Sequence, residues 1–183
     1  MKADQISLGF FELAMTAISS FQNPLDLALK LFREAGRVHK ASSEEKAGDH
    51  FFNFCVTNNA LRDWFYESTS LKLDHNDWRL KADGLFGVCA DIANSAKHLK
   101  MKRNQASARV QSNEVVALTA FGVLNGSRTQ KPAFFIMLND GKEMHHLTFL
   151  TKICIAWEEL FKQELNINLP HLIEFLSEDL SCR

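Results

Sequence analysis

A group of polar residues ends an otherwise apolar stretch near the middle of the chain. Four residues stand at i, i+3, i+4 and i+7 and would share one face of a helix: Asp91, Asn94, Ser95 and His98. A core helix normally fills such a face with aliphatic side chains. An imidazole can act as a general base near neutral pH, and the adjacent Lys97 could stabilise a developing anion. We therefore take His98 and Lys97 as candidate catalytic residues.

A basic run follows this face directly. Segment 97–103 contains four full positive charges, which are Lys97, Lys100, Lys102 and Arg103. Such a run suits phosphate, through direct charge and through the bidentate geometry of arginine. It is equally typical of a solvated helix end whose cations complement the helix dipole. The sequence leaves both interpretations open.

A second polar line lies in the preceding predicted helix, where Asp49, Asn53 and Thr57 are spaced at i, i+4 and i+8 among aromatic residues. Antiparallel packing of the two helices would bring this line near Asn94 and His98. Polar groups in such surroundings need partners, so we expect Asn53 and Asn94 to be at least half-buried and hydrogen-bonded. The line is either a buried network that fixes helix register or the wall of a ligand-binding or catalytic cleft.

The composition gives no global signal for a nucleic-acid or membrane partner. The chain has 21 basic and 22 acidic residues, a net charge of −1, and no run approaches the ~20 apolar residues of a membrane helix. None of the four cysteines are paired at C-x-x-C spacing, which favours a reduced, cytoplasmic protein. We predict no cofactor and no metal. His145 and His146 would point to opposite faces of a strand, and the loop 74–77 is interpreted as a helix cap.

Hydrophobic periodicity predicts an α+β fold, in which an antiparallel β-meander is inserted into a mainly helical up-and-down bundle before the last long helix. One domain is expected over 1–183, with the bundle at about 5–103 and 147–180 and the meander at about 106–147. The predicted helices are 6–21, 24–38 with Asn23 as N-cap, 43–67, 77–99, 147–165 and a short last one opened by Pro170. Predicted turns within the meander lie at 125–127 and 139–141.

The segment 94–98 resembles the Arg-x4–6-His signature of HEPN-type proteins, a superfamily built on a helical bundle. His98 matches the histidine and Asn94 the polar residue after the arginine, while Ala93 stands at the arginine position. Many members are dimeric RNases of toxin–antitoxin, phage-defence and CRISPR systems that cut RNA without metal, and others are inactive binding modules. The resemblance implies a helical homodimer, related to phage or defence systems, that acts on RNA.

A closer likeness is to uncharacterised bacterial and phage proteins with the pattern DxxxNFxxT…DW…DIANxxKH. This likeness covers roughly residues 25–103 and implies no particular activity. The matching residues are Asp49, Asn53, Phe54, Thr57, Asp63, Trp64 and the segment 91–98.

Together these patterns predict a HEPN-like protein that binds RNA or another phosphate-bearing ligand, with a degenerate metal-independent RNase as its enzymatic form. His98 would then be the base and Lys97 the charge stabiliser. The residues expected to bind or orient the ligand are Asp49, Asn53, Thr57, Asp91, Asn94, Lys100, Lys102 and Arg103. The alternative is a non-enzymatic protein-interaction or immunity-type module, in which the polar helix pair is structural and the meander edge pairs with a partner.

Overall fold

The computed structural model describes residues 19–71, 74–95, 107–119, 122–138 and 140–177, and for 107–134 it describes the backbone alone. The helices in these residues are α1 (Pro24–Lys40), α2 (Glu44–Ser68), α3 (His75–Leu80), α4 (Leu85–Ser95), α5 (His146–Leu165) and α6 (Ile173–Leu176). The strands are β1 (Ser107–Thr119), β2 (Gly122–Met137) and β3 (Glu143–His145). This order confirms the α+β class with a meander before the last long helix. Most of the predicted helix 6–21 lies outside the described residues.

The first two helices begin where their sequence signals predict. Asn23 Oδ1 accepts a hydrogen bond from the backbone N–H of Asp26, whose carboxylate accepts one from Asn23 N–H in return. Pro24 fills the first helical position, where no backbone donor is needed. At the start of α2, Ser43 Oγ accepts from the N–H of Lys46. Local capping chemistry therefore fixes both N-termini.

The predicted helix 77–99 is wrong in one respect, because the chain breaks between α3 and α4. Three consecutive residues adopt left-handed backbone angles: Ala82 (φ 53°), Asp83 (φ 56°) and Gly84 (φ 84°). A right-handed helix cannot continue through such residues, and only glycine adopts the conformation without steric cost. The helix also begins earlier than predicted, at His75, after the N-cap Asp74. Residues 96–99 lie outside the described part.

The meander is a three-stranded antiparallel sheet with the order β1-β2-β3. Its pairing runs from Ser107 opposite Met137 to Thr119 opposite Gly122, so the chain reverses between Thr119 and Gly122. The turn predicted at 125–127 is wrong, since these residues lie within β2. They fall where the register shifts around Val116, which makes them part of a bulge-like irregularity. The second predicted turn is confirmed, with Gly141 at φ 81°.

Four helices pack in alternating directions around one apolar core, as the up-and-down prediction requires. Side chains of α1 at 30 and 34 contact α2 at 57 and 50, so these helices are antiparallel. Phe51 contacts Phe149 and Phe65 contacts Phe161, so α2 and α5 are parallel. α4 packs against both with Phe86 beside Trp157.

The centre of the core is Trp157 of α5, which is fully buried and contacts aromatic rings from α2, α3 and α4. Its indole N–H donates to Asn58 Oδ1 at 2.8 Å. Three buried thiols lie close by, one on each of α2, α4 and α5: Cys55, Cys89 and Cys154. Burial, together with the neighbouring Cys55, raises the pKa of Cys89. Burial likewise raises the pKa of Cys154. All three buried thiols fill space in the core as small apolar groups.

Across the described residues, no helix combines the length and apolar character that crossing a bilayer requires.

Candidate anion-binding site

The predicted site residues divide into two groups. Five of them lie outside the described residues, so their prediction stays untested: Lys97, His98, Lys100, Lys102 and Arg103. The other five lie on α2 and α4, and they do not form one common site. Their surroundings show which of them are structural.

Asp91 is committed to an ion pair that joins α4 to α3. Both of its carboxylate oxygens accept from Arg79 Nη2, each at 2.9 Å, and its side chain is only 12% exposed. The two helices approach closely here, because a Cβ at Gly87 would lie 3.0 Å from the carbonyl oxygen of Arg79. The carboxylate therefore clamps the break between α3 and α4.

The expected burial of the amides is confirmed for Asn94, which is half-buried, but not for Asn53, which is exposed. The buried stripe of α2 passes through Phe51, Phe54 and Asn58, and Asn53 lies to one side of it. The amide that enters the core is Asn58, whose Oδ1 accepts from the buried indole as described above. Sequence reasoning missed Asn58 because its spacing did not match the line 49, 53 and 57.

Thr57 is buried, but its partner lies on α1. Its Oγ1 accepts from Lys30 Nζ at 3.1 Å, and the same ammonium donates to Glu34 Oε1 at 3.1 Å. This contact leads into a polar cluster between α1 and α2 that sequence reasoning did not identify. We call it the Glu34 cluster; it consists of Lys30, Glu34, Arg37, His50 and Thr57.

Three cationic or protonatable groups converge on the single carboxylate at its centre. Arg37 Nη1 lies 2.7 Å from Glu34 Oε1, and His50 Nδ1 lies 3.3 Å from Oε2. The Glu34 side chain is 3% exposed, whereas Lys30, Arg37 and His50 are 28%, 53% and 31% exposed. The negative charge is thus inside the seam, and the positive groups form its outer surface.

The electrostatics of the cluster keep Glu34 ionised. Burial alone would raise its pKa, but the hydrogen bond and charge of Lys30, the charge of Arg37 and the hydrogen bond with His50 together lower it below its usual value of 4.5. At neutral pH one buried negative charge therefore faces two permanent positive charges. The outward face of the cluster has an excess of positive charge.

One signal in the sequence could have revealed this cluster. Lys30, Glu34 and Arg37 stand at i, i+4 and i+7, so they share a face of α1. The prediction of that helix rests on its apolar stripe alone, and Glu34 lies beside Ala35 within the stripe. A single acidic residue among apolar helix positions, with a basic residue one turn before it and another one turn after it, predicts a buried carboxylate with charged partners.

Within the described part of the chain, no three His, Cys, Asp or Glu side chains are grouped so that they could hold a metal ion. The loop 74–77 acts as a cap: Asp74 accepts from the N–H of Asn76. His145 likewise caps α5 by accepting from Leu147 N–H at 3.3 Å. The prediction that His145 and His146 point to opposite faces of a strand is wrong, because β3 ends at His145, α5 begins at His146 and the centroids of their rings lie 4.3 Å apart.

The fold and this cluster define a class, an α+β helical-bundle protein with a positively charged polar cluster between two antiparallel helices. Comparisons of this chain with protein-family models, with curated proteins and with solved structures found no match. The resemblance to HEPN-type proteins therefore stays a prediction.

Proposed function

We propose that this protein binds RNA or another phosphate-bearing ligand, and that the Glu34 cluster supplies the phosphate contact. The observation that supports this is the convergence of Lys30, Arg37 and His50 on one buried carboxylate. Such an arrangement holds two permanent cations together at a half-exposed seam, where water screens them less than at an open surface.

Each group has a distinct role in this proposal. Lys30 is fixed by Glu34 and Thr57, so it presents a positioned point charge. Arg37 contacts Glu34 through Nη1 alone, which leaves the rest of its planar fork outside that contact. His50 is oriented through Nδ1 by the carboxylate, so Nε2 lies on the far side of the ring. Together these groups match the donors that a phosphate oxygen accepts from.

Binding is tested with a fluorescently labelled single-stranded RNA and anisotropy titrations at several salt concentrations. Arg37→Ala should weaken binding about ten-fold and reduce the salt dependence, because one phosphate contact is lost. The control is Arg62→Ala, since Arg62 is also an arginine of the helical bundle, with a side chain 20% exposed, but within the described residues its ion pair is with its neighbour Asp63. Equal affinity for the wild type and Arg37→Ala would contradict the assignment of the site.

The basic run 97–103 is a separate part of the proposal. A triple Lys100→Ala, Lys102→Ala, Arg103→Ala variant should also lose affinity if this run extends the phosphate contact. If the triple variant binds RNA as tightly as the wild type across ~50–200 mM salt, the basic run is not part of the site. The Glu34 cluster would then be the proposed phosphate contact without the run.

Metal-independent cleavage of RNA is the enzymatic form of the same proposal. Two imidazoles are candidate bases, His98 beside Lys97 and His50 beside Glu34. RNA cleavage by the His50→Ala and His98→Ala variants, measured in the presence of a chelator, shows which imidazole is the base. The substitution that abolishes cleavage identifies it. Cleavage that survives both substitutions would show that the activity lies elsewhere.

A protein-interaction module is the second candidate, and the sheet edge favours it. β1 is 13 residues long and pairs only with β2 among the described residues, so its outer edge offers backbone groups to another strand. Hydrogen exchange of the β1 amides at low and high protein concentration tests pairing between copies. Protection that rises with concentration supports this candidate, and unchanged protection argues against it.

A further inference from the structure

The Glu34 cluster is compact, and this property restricts the ligand beyond the proposed function. Three nitrogen-bearing groups, of which Lys30 and Arg37 are permanent cations, contact the two oxygens of one carboxylate, at 2.7, 3.1 and 3.3 Å. They therefore form one spot of positive charge. A protein that follows the backbone of a nucleic acid needs instead a groove with a succession of cations, one for each phosphate.

We infer that the Glu34 cluster binds a terminal phosphate group, that is, a phosphate monoester at the end of an RNA or on a mononucleotide, in preference to an internal phosphodiester. This inference rests on the proposed function.

The charge balance of the cluster agrees with such a ligand. Lys30 and Arg37 contribute two permanent positive charges and the Glu34 carboxylate removes one, so the cluster keeps a net positive charge, and His50 adds a third side-chain nitrogen that faces the same point. An internal phosphodiester has a single negative charge. A phosphate monoester has about −1.5 to −2 at pH 7 and three strong acceptor oxygens. Three nitrogen-bearing groups held at one point match the three free oxygens of a monoester better than the two free oxygens of an internal diester.

The surroundings of His50 also disfavour a polyanion lying along α2. The exposed charged residues that precede it on that helix are three acids, Glu44, Glu45 and Asp49, and one base, Lys46, so this stretch has an excess of negative charge. A second phosphate running in this direction would meet negative charge, which opposes binding.

On α1, the exposed Arg33 lies one turn before Arg37 and the exposed Lys40 one turn after it, and neither belongs to the Glu34 cluster. Substitution of Arg33 therefore distinguishes a single site from a row of contacts along α1.

The experiment uses the full chain and three versions of one short RNA, carrying a 5′-phosphate, a 3′-phosphate or hydroxyls at both ends. Mononucleotide and inorganic phosphate serve as competitors, and they distinguish an RNA end from a free nucleotide as the source of the group. We expect at least one phosphorylated end to raise affinity about ten-fold over the RNA with hydroxyl ends, because charge-assisted bidentate contacts are gained. The salt dependence of that gain should correspond to one or two charges.

Two variants test whether the preference belongs to the Glu34 cluster. Arg37→Ala should remove the preference for a phosphorylated end, whereas Arg33→Ala should leave it intact. Both arginine side chains are exposed, but Arg37 also pairs with the buried Glu34 carboxylate, so Arg37→Ala is expected to lower the melting temperature. Thermal melts of each variant give the temperature range in which both are folded, and binding is compared within that range.

The outcomes separate this inference from the proposed function. Equal binding of all three RNAs, with Arg33→Ala and Arg37→Ala weakening them alike, would overturn the terminal-phosphate inference and leave RNA binding in place. Direct binding of mononucleotide, measured by calorimetry, without any binding of RNA would support the monoester and identify the smaller ligand. No binding of any RNA, mononucleotide or inorganic phosphate would overturn both.

Discussion

The buried Glu34 carboxylate determines which charged side chains gather between α1 and α2. An ionised carboxylate that is almost fully buried is costly unless charged donors surround it, and here Lys30, Arg37 and His50 do so. The same side chains that stabilise the buried carboxylate also form the outer surface between α1 and α2. A substitution of Glu34 should therefore change both the stability of the fold and the proposed binding site.

The lowered pKa of Glu34 leads to a prediction about stability and pH. Because the folded-state pKa lies below the usual value of 4.5, the carboxylate stabilises the fold above that value, and this contribution is lost as pH falls through the folded pKa. Urea unfolding followed from pH 7 downwards should show the loss. Glu34→Gln should cost about 1–3 kcal/mol at pH 7 and should flatten the decline below pH 4.5, because the group that titrates is gone. An equally steep decline in the variant would assign the acid sensitivity to other carboxylates.

Asp91 provides a second prediction at the residue scale. Asp91→Asn replaces a carboxylate that accepts twice from Arg79, so the free energy of unfolding should fall by about 1–3 kcal/mol. Asp83→Asn is the matched control, since Asp83 pairs with Lys152 at 2.7 Å but is exposed. That variant should change stability little, because water screens an exposed pair. Equal effects in chemical denaturation would show that the Arg79 pair is not a special clamp.

For some helices, neighbouring residues in the sequence determine where the helix begins. For others, contacts with distant parts of the fold determine it. α1 and α2 could be predicted almost to the residue, because Asn23, Pro24 and Ser43 fix their starts through neighbouring backbone groups. The break before α4 could not be predicted from the sequence, because residues 80–82 are ordinary helix formers. Among the neighbouring residues, only Gly84 indicates a break in the helix. The Arg79–Asp91 pair and the close approach at Gly87 favour the broken form, and both are tertiary contacts.

Replacing glycine with alanine should have opposite effects on stability at two positions within the helices. A Cβ at Gly36 of α1 would overlap the carbonyl oxygen of Phe175 in α6, whereas a Cβ at Gly48 of α2 would meet nothing within 4 Å. Gly36→Ala should destabilise the protein by about 1–3 kcal/mol by displacing α6. Gly48→Ala should stabilise it by about 0.5–1 kcal/mol, because alanine favours a helix. Thermal melts of the two variants in parallel check both signs, and a stabilised Gly36→Ala would mean that α6 moves at no cost.

At the scale of the whole molecule, sequence pattern predicted the class and order of elements but not the site. Hydrophobic periodicity reports which positions face the core, and this was enough for the bundle and the meander. It does not report which polar residue finds a partner across helices. Asp49, Asn53 and Thr57 looked equivalent in the sequence, yet only Thr57 is buried and bonded to another helix. The Glu34 cluster depends on the antiparallel register of α1 and α2, which sequence spacing alone does not fix.

The three core thiols have one more consequence. Cys55, Cys89 and Cys154 come from α2, α4 and α5, and all three are fully enclosed. A thiol-reactive reagent reaches them only when the helices separate, so their labelling rates follow the opening of the bundle. If the three helices open together, the three rates are equal; if α4 detaches alone, Cys89 reacts first. The chain thus contains, in its natural residues, a reporter on each of three helices for how its interior comes apart.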